Sequence, residues 1–437
     1  MTIHPTPSGG LAQDAKSWDT AYEWKAVALL TVAFGLVGLD RWILPPLFPA
    51  MMKDLRLNYQ DLGNLVGGLG IAWGLSAICL GSLSDRFGRK KVLVPAVVLF
   101  SIGSAFTGFA GGMMGLLMIR ILMGMAEGAV APTGVATVVE ASHPKRRGMT
   151  NGMFQCAFAL FGLAIAPILA TQLLKVTTWP FVFMLVGIPG LIVAVLIGLI
   201  IREPATVNRS AAERQAAPRA SLREVFRHRN VPLGMLGLLC AMTGIFVISA
   251  IMPNYLVDFL KLSPQQMGFV TSAIGFGGFL GQFGVPTLSD ALGRKPVALM
   301  AFAVAAVFLW VFIHTGVNLP VLFGLLFVAS LFNFGALALI AGPLAAEAAP
   351  LGLISSVAGL IIGAGEVFGG GVAPVIAGRI AQGYGIQYTL YFALAGQLLG
   401  ILVCLFLQET APRKAARSAA ESALDRYEDA HPEGIAG

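Results

Sequence analysis

Two acidic and two basic side chains interrupt long apolar stretches of this sequence. Asp40 and Arg41 stand midway along the first stretch, and Arg120 and Glu127 lie seven residues apart in the fourth. A charge at the centre of a bilayer costs about 2.5 to 3.5 kcal/mol on insertion scales, so such residues face protein or water and mark ion or substrate pathways. Two acids and two bases at this depth are the expected components of a proton relay and an anion site.

The spacing of these residues limits which of them can meet. Arg120 and Glu127 share one helix face about two turns apart, whereas the adjacent Asp40 and Arg41 point about 100 degrees apart. One division has Asp40 titrating within the N-terminal half while Arg41 turns toward a central cavity. The alternative is a buried ion-pair network, Asp40 with Arg120 or Arg41 with Glu127, that only packs two helices. Such pairs are weak indications of stability, because desolvation can cancel their attraction.

The second half of the chain lacks matching charges. The positions 205 residues after Asp40, Arg120 and Glu127 are apolar, namely Ile245, Leu325 and Phe332. Charge chemistry is therefore expected mainly in the N-terminal half. The polar candidates for substrate contact in the second half are Asn254, Tyr255 and Asn333. The first two follow Pro253, which could open the backbone to a ligand or simply bend a helix for packing.

Glu366 lies among glycines in the eleventh apolar stretch. It could meet a loop at the helix end, titrate, or hydrogen-bond an opened backbone, and we interpret it as a structural or gating residue. No metal or cofactor is predicted, because histidines and cysteines form no ligand cluster. The four cysteines stand far apart, at positions 79, 156, 240 and 404.

Composition excludes a soluble enzyme. Of the 437 residues, 57% are hydrophobic and only 12% are charged, against roughly 25% charged in soluble domains. The net charge of +7 comes from short basic blocks between apolar runs, which argues against binding to nucleic acid. No nucleophile and base constellation is recognisable, so we predict that the chain is not an enzyme.

The apolar runs have the length of membrane helices, which need about 20 residues. Six runs precede residue 202, near 25–50, 62–82, 92–110, 113–141, 148–174 and 179–201. Six more follow, near 231–257, 265–288, 296–314, 320–346, 353–380 and 386–407. The predicted fold is an all-α membrane protein with twelve transmembrane helices in two pseudo-symmetric six-helix bundles.

Basic residues fix the predicted orientation, since cytoplasmic loops contain the excess of Lys and Arg. Both termini are expected in the cytoplasm of a multi-pass protein of the cell membrane. The predicted divisions are a cytoplasmic tail at 1–21, a bundle at 22–201, a cytoplasmic linker at 202–230, a second bundle at 231–408 and a cytoplasmic tail at 409–437.

An internal repeat supports the two halves. The pattern Ser-Asp-x-x-Gly-Arg-Lys occurs at 84–90 and again 205 positions later at 289–295, each time at the end of the second run of its half. Its carboxylate could accept from backbone N–H groups at a neighbouring helix start, while its glycine admits a tight turn. We predict a gating latch at Asp85, Arg86, Gly88, Arg89, Asp290 and Arg294. The alternative, a topology signal alone, explains the positive charge but not the repeated Asp and Gly.

The stretch Gly81-x-Leu83-x-Asp85-Arg86-x-Gly88-Arg89-Lys90 resembles the loop signature of the major facilitator superfamily, and the resemblance covers residues 22 to 408. Among its members, an Asp-Arg pair in the first helix and Arg-x6-Glu in the fourth resemble the proton-coupled organic-anion symporters. That resemblance implies proton binding at Asp40 and Glu127 and substrate carboxylate binding at Arg41 and Arg120. The Asp-Arg pair also occurs in spinster-type lipid exporters.

The predicted function is proton-coupled symport of a small organic anion, by alternating access, in a monomer that contacts the lipid bilayer. Sodium is a less favoured coupling ion. Two alternatives stay open, namely a spinster-like exporter or flippase of an amphiphilic lipid and a membrane sensor that transports nothing. The sequence does not identify the solute.

Overall fold

The structure is a computed structural model that describes residues 18–144, 146–203, 226–348 and 354–411, without the side chains of residues 79–83, 85, 86 and 354–356. Every regular element in this part of the chain is a helix. Most of the predicted tails and of the predicted linker lies outside the described residues.

Each half of the chain forms six long helices. The first six are α1 Thr20–Leu55, α2 Tyr59–Phe87, α3 Arg89–Thr107, α4 Met113–Ala141, α5 Arg147–Leu173 and α6 Trp179–Ile200. The second six are α7 Asn230–Phe259, α8 Pro264–Leu292, α9 Arg294–Ile313, α10 Leu319–Ala348, α11 Val357–Gly383 and α12 Tyr388–Leu405. Eleven of these are long and apolar enough to cross a membrane, and α2 has 29 residues. The predicted all-α fold with twelve membrane helices is confirmed.

The second helix of each half begins in the same way. Asn58 caps α2 by accepting from the backbone of Asp61, whose carboxylate accepts from the backbone of Asn58. Ser263 and Gln266 make the same capping box at α8, 205 residues later. Reciprocal caps satisfy two N–H groups that a helix start otherwise leaves without partners. The repeat seen in the loop signature therefore extends to the other end of these helices.

Several of the described helices are irregular along their length. The helix α1 breaks at Ile43, directly after Asp40 and Arg41. In the described part of the chain, four π-helical segments interrupt other helices, at Leu160–Ile165 in α5, Tyr255–Phe259 in α7, Ile340–Leu344 in α10 and Gly365–Val372 in α11. Pro253 does not end α7, which stays helical until its π segment begins. Such π segments occur often at functional sites.

The two bundles pack through α2 against α11 and through α5 against α8. Glycines make this approach possible, because a Cβ at Gly70 would collide with the carbonyl of Gly370. A Cβ at Gly275 in α8 would collide with the backbone of Leu163 and Ala164 in α5. Small residues at these crossings let two backbones come close, as is usual between membrane helices.

The start of α1 and the end of α6 lie on one side of the molecule, where Arg202 pairs with Asp19 at 2.9 Å. We call this side the terminal face and the side where α1 ends the opposite face. On the terminal face Glu203 accepts from the backbone N–H groups of Arg89 and Lys90 at 2.8 and 2.9 Å. The Arg89 guanidinium pairs with Glu140 at 2.8 Å. Together these contacts tie the start of α3 and the ends of α4 and α6 into one network.

The second bundle repeats this network. Glu409 accepts from the backbone of Arg294 at 2.8 Å and of Lys295 at 3.3 Å, and Arg294 pairs with Glu347 at 2.8 Å. Gly88 precedes α3 with a φ of 108°, and Gly293 precedes α9 with a φ of 105°. Both have a left-handed conformation, which favours glycine.

The carboxylate in the second copy of the repeated pattern does not cap the next helix. Asp290 accepts from the Arg294 guanidinium at 2.6 Å, and the backbone N–H groups of the next helix bind Glu409 instead. The matching side chains of Asp85 and Arg86 lie outside the described part of the structure. The gating role of these loops stays a prediction.

Glu409 offers a test of the network through pH. Although burial acts in the opposite direction, backbone donors at Ala411, Arg294, Lys295 and Thr410 hold the pKa of Glu409 below its ordinary value of 4.5. A carboxylate with a lowered folded pKa stabilises the protein above the unfolded pKa, and this stabilisation is lost as pH falls through the folded value.

We therefore expect Glu409→Gln to lower stability at pH 7 by about 1 kcal/mol, the usual worth of a helix cap. Thermal melts of purified protein at several pH values measure this difference. The melting curves of wild type and variant should converge below pH 4.5, the ordinary pKa of a glutamate. Because the folded pKa lies below 4.5, a gap that stays constant well below that pH would exclude the charge of Glu409 as the stabilising factor.

Candidate functional site

Asp40 lies in the last turn of α1 before the break at Ile43, and 2% of it is exposed. The Ser104 hydroxyl of α3 donates to its Oδ1 at 2.8 Å. Arg120 of α4 donates through Nη1 to the main-chain carbonyl of Asp40 at 3.0 Å. The carboxylate of Asp40 thus lies within the first bundle and is oriented by a neutral hydroxyl.

Arg41 turns the other way, toward the second bundle. Its Nη2 lies 3.2 Å from Oε2 of Glu366 in α11. The guanidinium lies 4.5 Å from the ring centroid of Phe246 in α7 and 5.6 Å from that of Trp73 in α2. Its Nε and Nη1 find no hydrogen-bond partner among the described residues. Arg41 therefore keeps free donors in an aromatic enclosure between the bundles.

Arg120 and Glu127 are buried on α4, with 1% and 0% exposure. Both oxygens of Glu127, and Nε and Nη2 of Arg120, have no hydrogen-bond partner in the described part of the chain. Arg41, Asp40 and Arg120 are close enough to Glu127 to interact with it electrostatically. Burying polar atoms without partners is costly, so these unpartnered atoms mark Arg120 and Glu127 as candidate functional residues.

The four charged residues of the first bundle thus form one cluster, which we call the charged cluster: Asp40, Arg41, Arg120 and Glu127. Neither ion pair of the packing alternative is present among the described residues, since Arg41 pairs with Glu366 and Arg120 binds a carbonyl. The division in which Asp40 stays in the first bundle while Arg41 faces the centre agrees with the observed geometry. Glu366 lies at Arg41 and not at a loop of the terminal face.

Two buried amides from the second bundle lie near each other. Asn333 of α10 and Gln397 of α12 are buried, and a Cβ at Gly244 of α7 would meet both amide groups. Oδ1 of Asn333 and both amide atoms of Gln397 lack hydrogen-bond partners among the described residues. Gln397 was missed from the sequence, although an amide in the twelfth apolar run is a usable signal.

Asn254 and Tyr255 lie elsewhere, toward the opposite face. Asn254 donates to Asp258 at 2.9 Å and contacts the sulfur of Met52, while Tyr59 donates to Asp258 at 3.0 Å. Tyr255 stacks on a phenylalanine of its own helix, Phe259. Met52 follows Arg41 by eleven residues, which is roughly 16 Å along a helix. The structure therefore does not bring these two residues to the charged cluster.

The helices α1 and α7 pack against each other on the opposite face. Among the fully buried residues of these two helices are Leu47, Phe48, Ile251 and Met252. A cavity of about 610 Å³ opens on the terminal face, lined by Asp19, Lys25, Lys90 and Arg202, and the four residues of the charged cluster are not among its lining residues. All four residues of the charged cluster are buried, with exposures of 0% to 3%.

Twelve helices in two repeated bundles, joined around buried charges with free hydrogen-bonding atoms, are the architecture of a membrane transporter. The comparisons with known proteins agree. The family model of the Major Facilitator Superfamily matches residues 30–360 and 234–429. The chain belongs to this superfamily, which places it among transporters and not among enzymes.

Several curated relatives have names that denote transport of small organic solutes. The chain is 28% identical over 386 residues to a probable 4-methylmuconolactone transporter of Cupriavidus pinatubonensis, covering 85% of this chain and 87% of the relative. It is 25% identical to a 4-hydroxybenzoate transporter of Pseudomonas aeruginosa, over 66% of this chain and 71% of the relative. A hexuronate transporter of Bacillus subtilis is 28% identical over 62% of this chain and 65% of the relative.

Solved structures support the fold. A bacterial homolog of the human lysosomal transporter Spinster, in an inward-facing and occupied conformation, matches with a TM-score of 0.72 and 16% identity. The match covers 88% of this chain and 96% of that chain. At this identity the likeness concerns the fold alone.

Proposed function

We propose that this protein is a proton-coupled symporter of a small organic anion with a carboxylate group. The observation that supports this most is the buried charged cluster, in which two arginines with free N–H donors lie beside two buried acids. Names of the relatives, such as 4-hydroxybenzoate and hexuronate transporter, denote carboxylates. The proposal joins that substrate class to this geometry.

Arg41 and Arg120 would bind the substrate carboxylate. A guanidinium presents N–H groups in a planar fork that fits a carboxylate through two parallel hydrogen bonds. Both arginines have donors without partners among the described residues, and Arg41 faces the interface between the bundles. Phe246 and Trp73 beside Arg41 would pack against the rest of the solute, and Asn333 and Gln397 would bind its polar groups.

Asp40 and Glu127 would bind the transported protons. Glu127 has no exposure and no hydrogen-bond donor among the described residues, so protonation is the simplest way to remove its buried charge. Asp40 receives only a hydroxyl donor and lies where its charge acts on Arg120. Neutral acids would leave the arginines free to attract an anion, which couples proton binding to substrate binding.

Alternating access would follow from rocking of the bundles about the charged cluster. The glycine crossings of α2 with α11 and of α5 with α8 provide close contacts along which one bundle can move against the other. The basic residues of the terminal face, among them Arg89, Lys90, Arg146 and Arg294, favour a cytoplasmic position of both termini in the cell membrane.

Transport in reconstituted vesicles tests this function. We expect vesicles with an alkaline interior to accumulate at least one radiolabelled carboxylate from a set of 4-hydroxybenzoate, galacturonate and galactonate. Accumulation should vanish with a protonophore and should not need sodium, because the cluster binds protons.

The controls separate the competing functions. Vesicles without protein and vesicles with an inward sodium gradient but no pH gradient should show no accumulation. Uptake driven only by sodium would refute proton coupling, and a lack of uptake together with movement of a fluorescent lipid between leaflets would favour the lipid exporter.

A further inference from the structure

The contact between Arg41 and Glu366 differs from the other ion pairs of the molecule. It joins the two bundles, since Arg41 belongs to α1 and Glu366 to α11, 325 residues away. Both side chains are buried, with exposures of 2% and 7%. Among the described residues, the other ion pairs each lie within one bundle and have at least one more exposed partner.

The carboxylate of Glu366 fits a space that glycines leave open. It lies in the π segment Gly365–Val372, and a Cβ at Gly370 would lie 2.7 Å from its Oε2. On the facing helix α2, a Cβ at Gly74 would lie 3.4 Å from the Cβ of Glu366. The position of this carboxylate thus depends on Gly370, while Gly74 of the other bundle leaves room for the π segment beside α2.

The nitrogen of Arg41 that Glu366 binds affects how a substrate can bind the guanidinium. A guanidinium offers two edges with a pair of donors, one made of Nη1 and Nη2 and the other of Nε and Nη2. Both edges include Nη2, the atom of Arg41 that Glu366 binds. Nη2 carries two hydrogens, one in each edge, so Glu366 occupies one edge of Arg41, and its negative charge opposes the binding of a second carboxylate at the other edge.

We propose that Glu366 is an internal counter-ion that holds the place of the substrate carboxylate on Arg41 when the carrier is empty. This inference rests on the proposed function and assigns Glu366 a role in binding as well as in gating. A buried guanidinium without a partner is strongly unfavourable, so the empty carrier needs a counter-ion between its bundles. Substrate arrival replaces this internal bond with an external one, and a neutral solute offers no such replacement.

Equilibrium binding to the purified full-length protein tests this exchange. Radiolabelled 4-hydroxybenzoate, galacturonate and galactonate serve as probes, and the neutral 4-hydroxybenzamide serves as a ligand without a carboxylate. Glu366→Gln removes the competing charge and should lower the Kd of the bound carboxylate about tenfold. Gly370→Ala keeps the charge but displaces it from Arg41, so it should lower the Kd by a smaller factor.

A matched control removes another buried glutamate that is ion-paired. Glu23 has no exposure and pairs with Arg146 at 2.6 Å on the terminal face, so Glu23→Gln should leave the Kd unchanged. A further variant, Glu366→Ala, leaves space for a small carboxylate beside Arg41. Formate at millimolar concentration should raise the melting temperature of this variant and not that of the wild type.

The outcomes separate the two proposals. If wild type binds a carboxylate and Glu366→Gln binds it with the same or a higher Kd, the counter-ion role is wrong and the proposed function stands. If wild type binds none of the three carboxylates but formate stabilises Glu366→Ala, the proposed substrate class is wrong and the counter-ion site stands. If wild type binds none of the three carboxylates and formate does not stabilise Glu366→Ala, both proposals fail.

Discussion

Glu127→Gln and Asp40→Asn will each abolish proton-driven accumulation of the substrate, and at least one of them will keep exchange of labelled for unlabelled substrate. Each amide is a neutral copy of the protonated acid and cannot release a proton. A carrier with such a residue can still bind and reorient with substrate, but the proton gradient no longer drives it. The ratio of internal to external substrate concentration should be well above 1 in the wild type. In each variant it should fall to 1, the value of simple equilibration.

Glu127 is the sharper of these two tests. Its oxygens have no partner among the described residues, so the amide replaces a protonated acid without breaking a hydrogen bond. In Asp40→Asn the Ser104 hydroxyl must still donate to the side chain at position 40, and the amide oxygen can accept this hydrogen bond. We expect faster exchange in Glu127→Gln than in Asp40→Asn for this reason.

Parallel assays of net uptake and of exchange in the same vesicle preparation make the measurement. Glu23→Gln is the matched control, because it neutralises a buried glutamate on the terminal face and should keep both activities. Accumulation at the wild-type level in both cluster variants would eliminate Asp40 and Glu127 as coupling groups.

The sequence predicts the fold and the charged cluster well, since both depend on local signals. Twelve apolar runs and a repeat spaced by 205 residues are visible in one chain without any knowledge of packing. A charge in an apolar run is rare because it is costly, so Asp40, Arg41, Arg120 and Glu127 could be selected by type and position alone.

Contacts between distant helices could not be predicted in this way. The pairing of Arg41 with Glu366 depends on how α1 and α11 rotate about their axes and on the glycines that let α2 approach α11. Periodicity within one helix gives the face of a residue but not the helix that it meets. Glu366 was therefore interpreted from its glycine-rich neighbours and not from its partner.

Two further features of the structure could have been predicted from the sequence. Glu203 and Glu409 are 206 positions apart and cap corresponding helices, close to the repeat of the loop pattern. Asn254 stands only five residues before the end of α7, so its position near the opposite face follows from helix length. Asn254 and Tyr255 were selected because they follow Pro253, but the helix continues through this proline.

Arg41→Lys should be the most damaging conservative change in the molecule. Lysine keeps the positive charge and can still meet Glu366, but it loses the fork that binds a carboxylate through two hydrogen bonds. Each lost charge-assisted hydrogen bond is worth about 1.5 to 3 kcal/mol. We therefore expect the Kd of the substrate to rise at least tenfold, and by about 100-fold at the upper limit.

The effect of changing Arg41 on folding has to be separated from its effect on substrate binding. Arg41→Gln leaves Glu366 as an unpaired buried charge, which is expected to destabilise the protein by about 3 to 5 kcal/mol. The double variant Arg41→Gln with Glu366→Gln removes both charges and should recover much of the thermal stability without recovering transport. Melting temperature and substrate binding measured on the same samples distinguish the two effects.

Comparison with Arg120→Lys shows which of the two arginines binds the substrate carboxylate more strongly. Arg120 donates to the carbonyl of Asp40 and faces no described acid of the second bundle, so its loss should impair binding less than the loss of Arg41. Equal Kd values for Arg41→Lys, Arg120→Lys and wild type would remove both arginines from the binding site. A larger effect at Arg120 would instead place the substrate inside the first bundle, away from the interface where the two bundles separate.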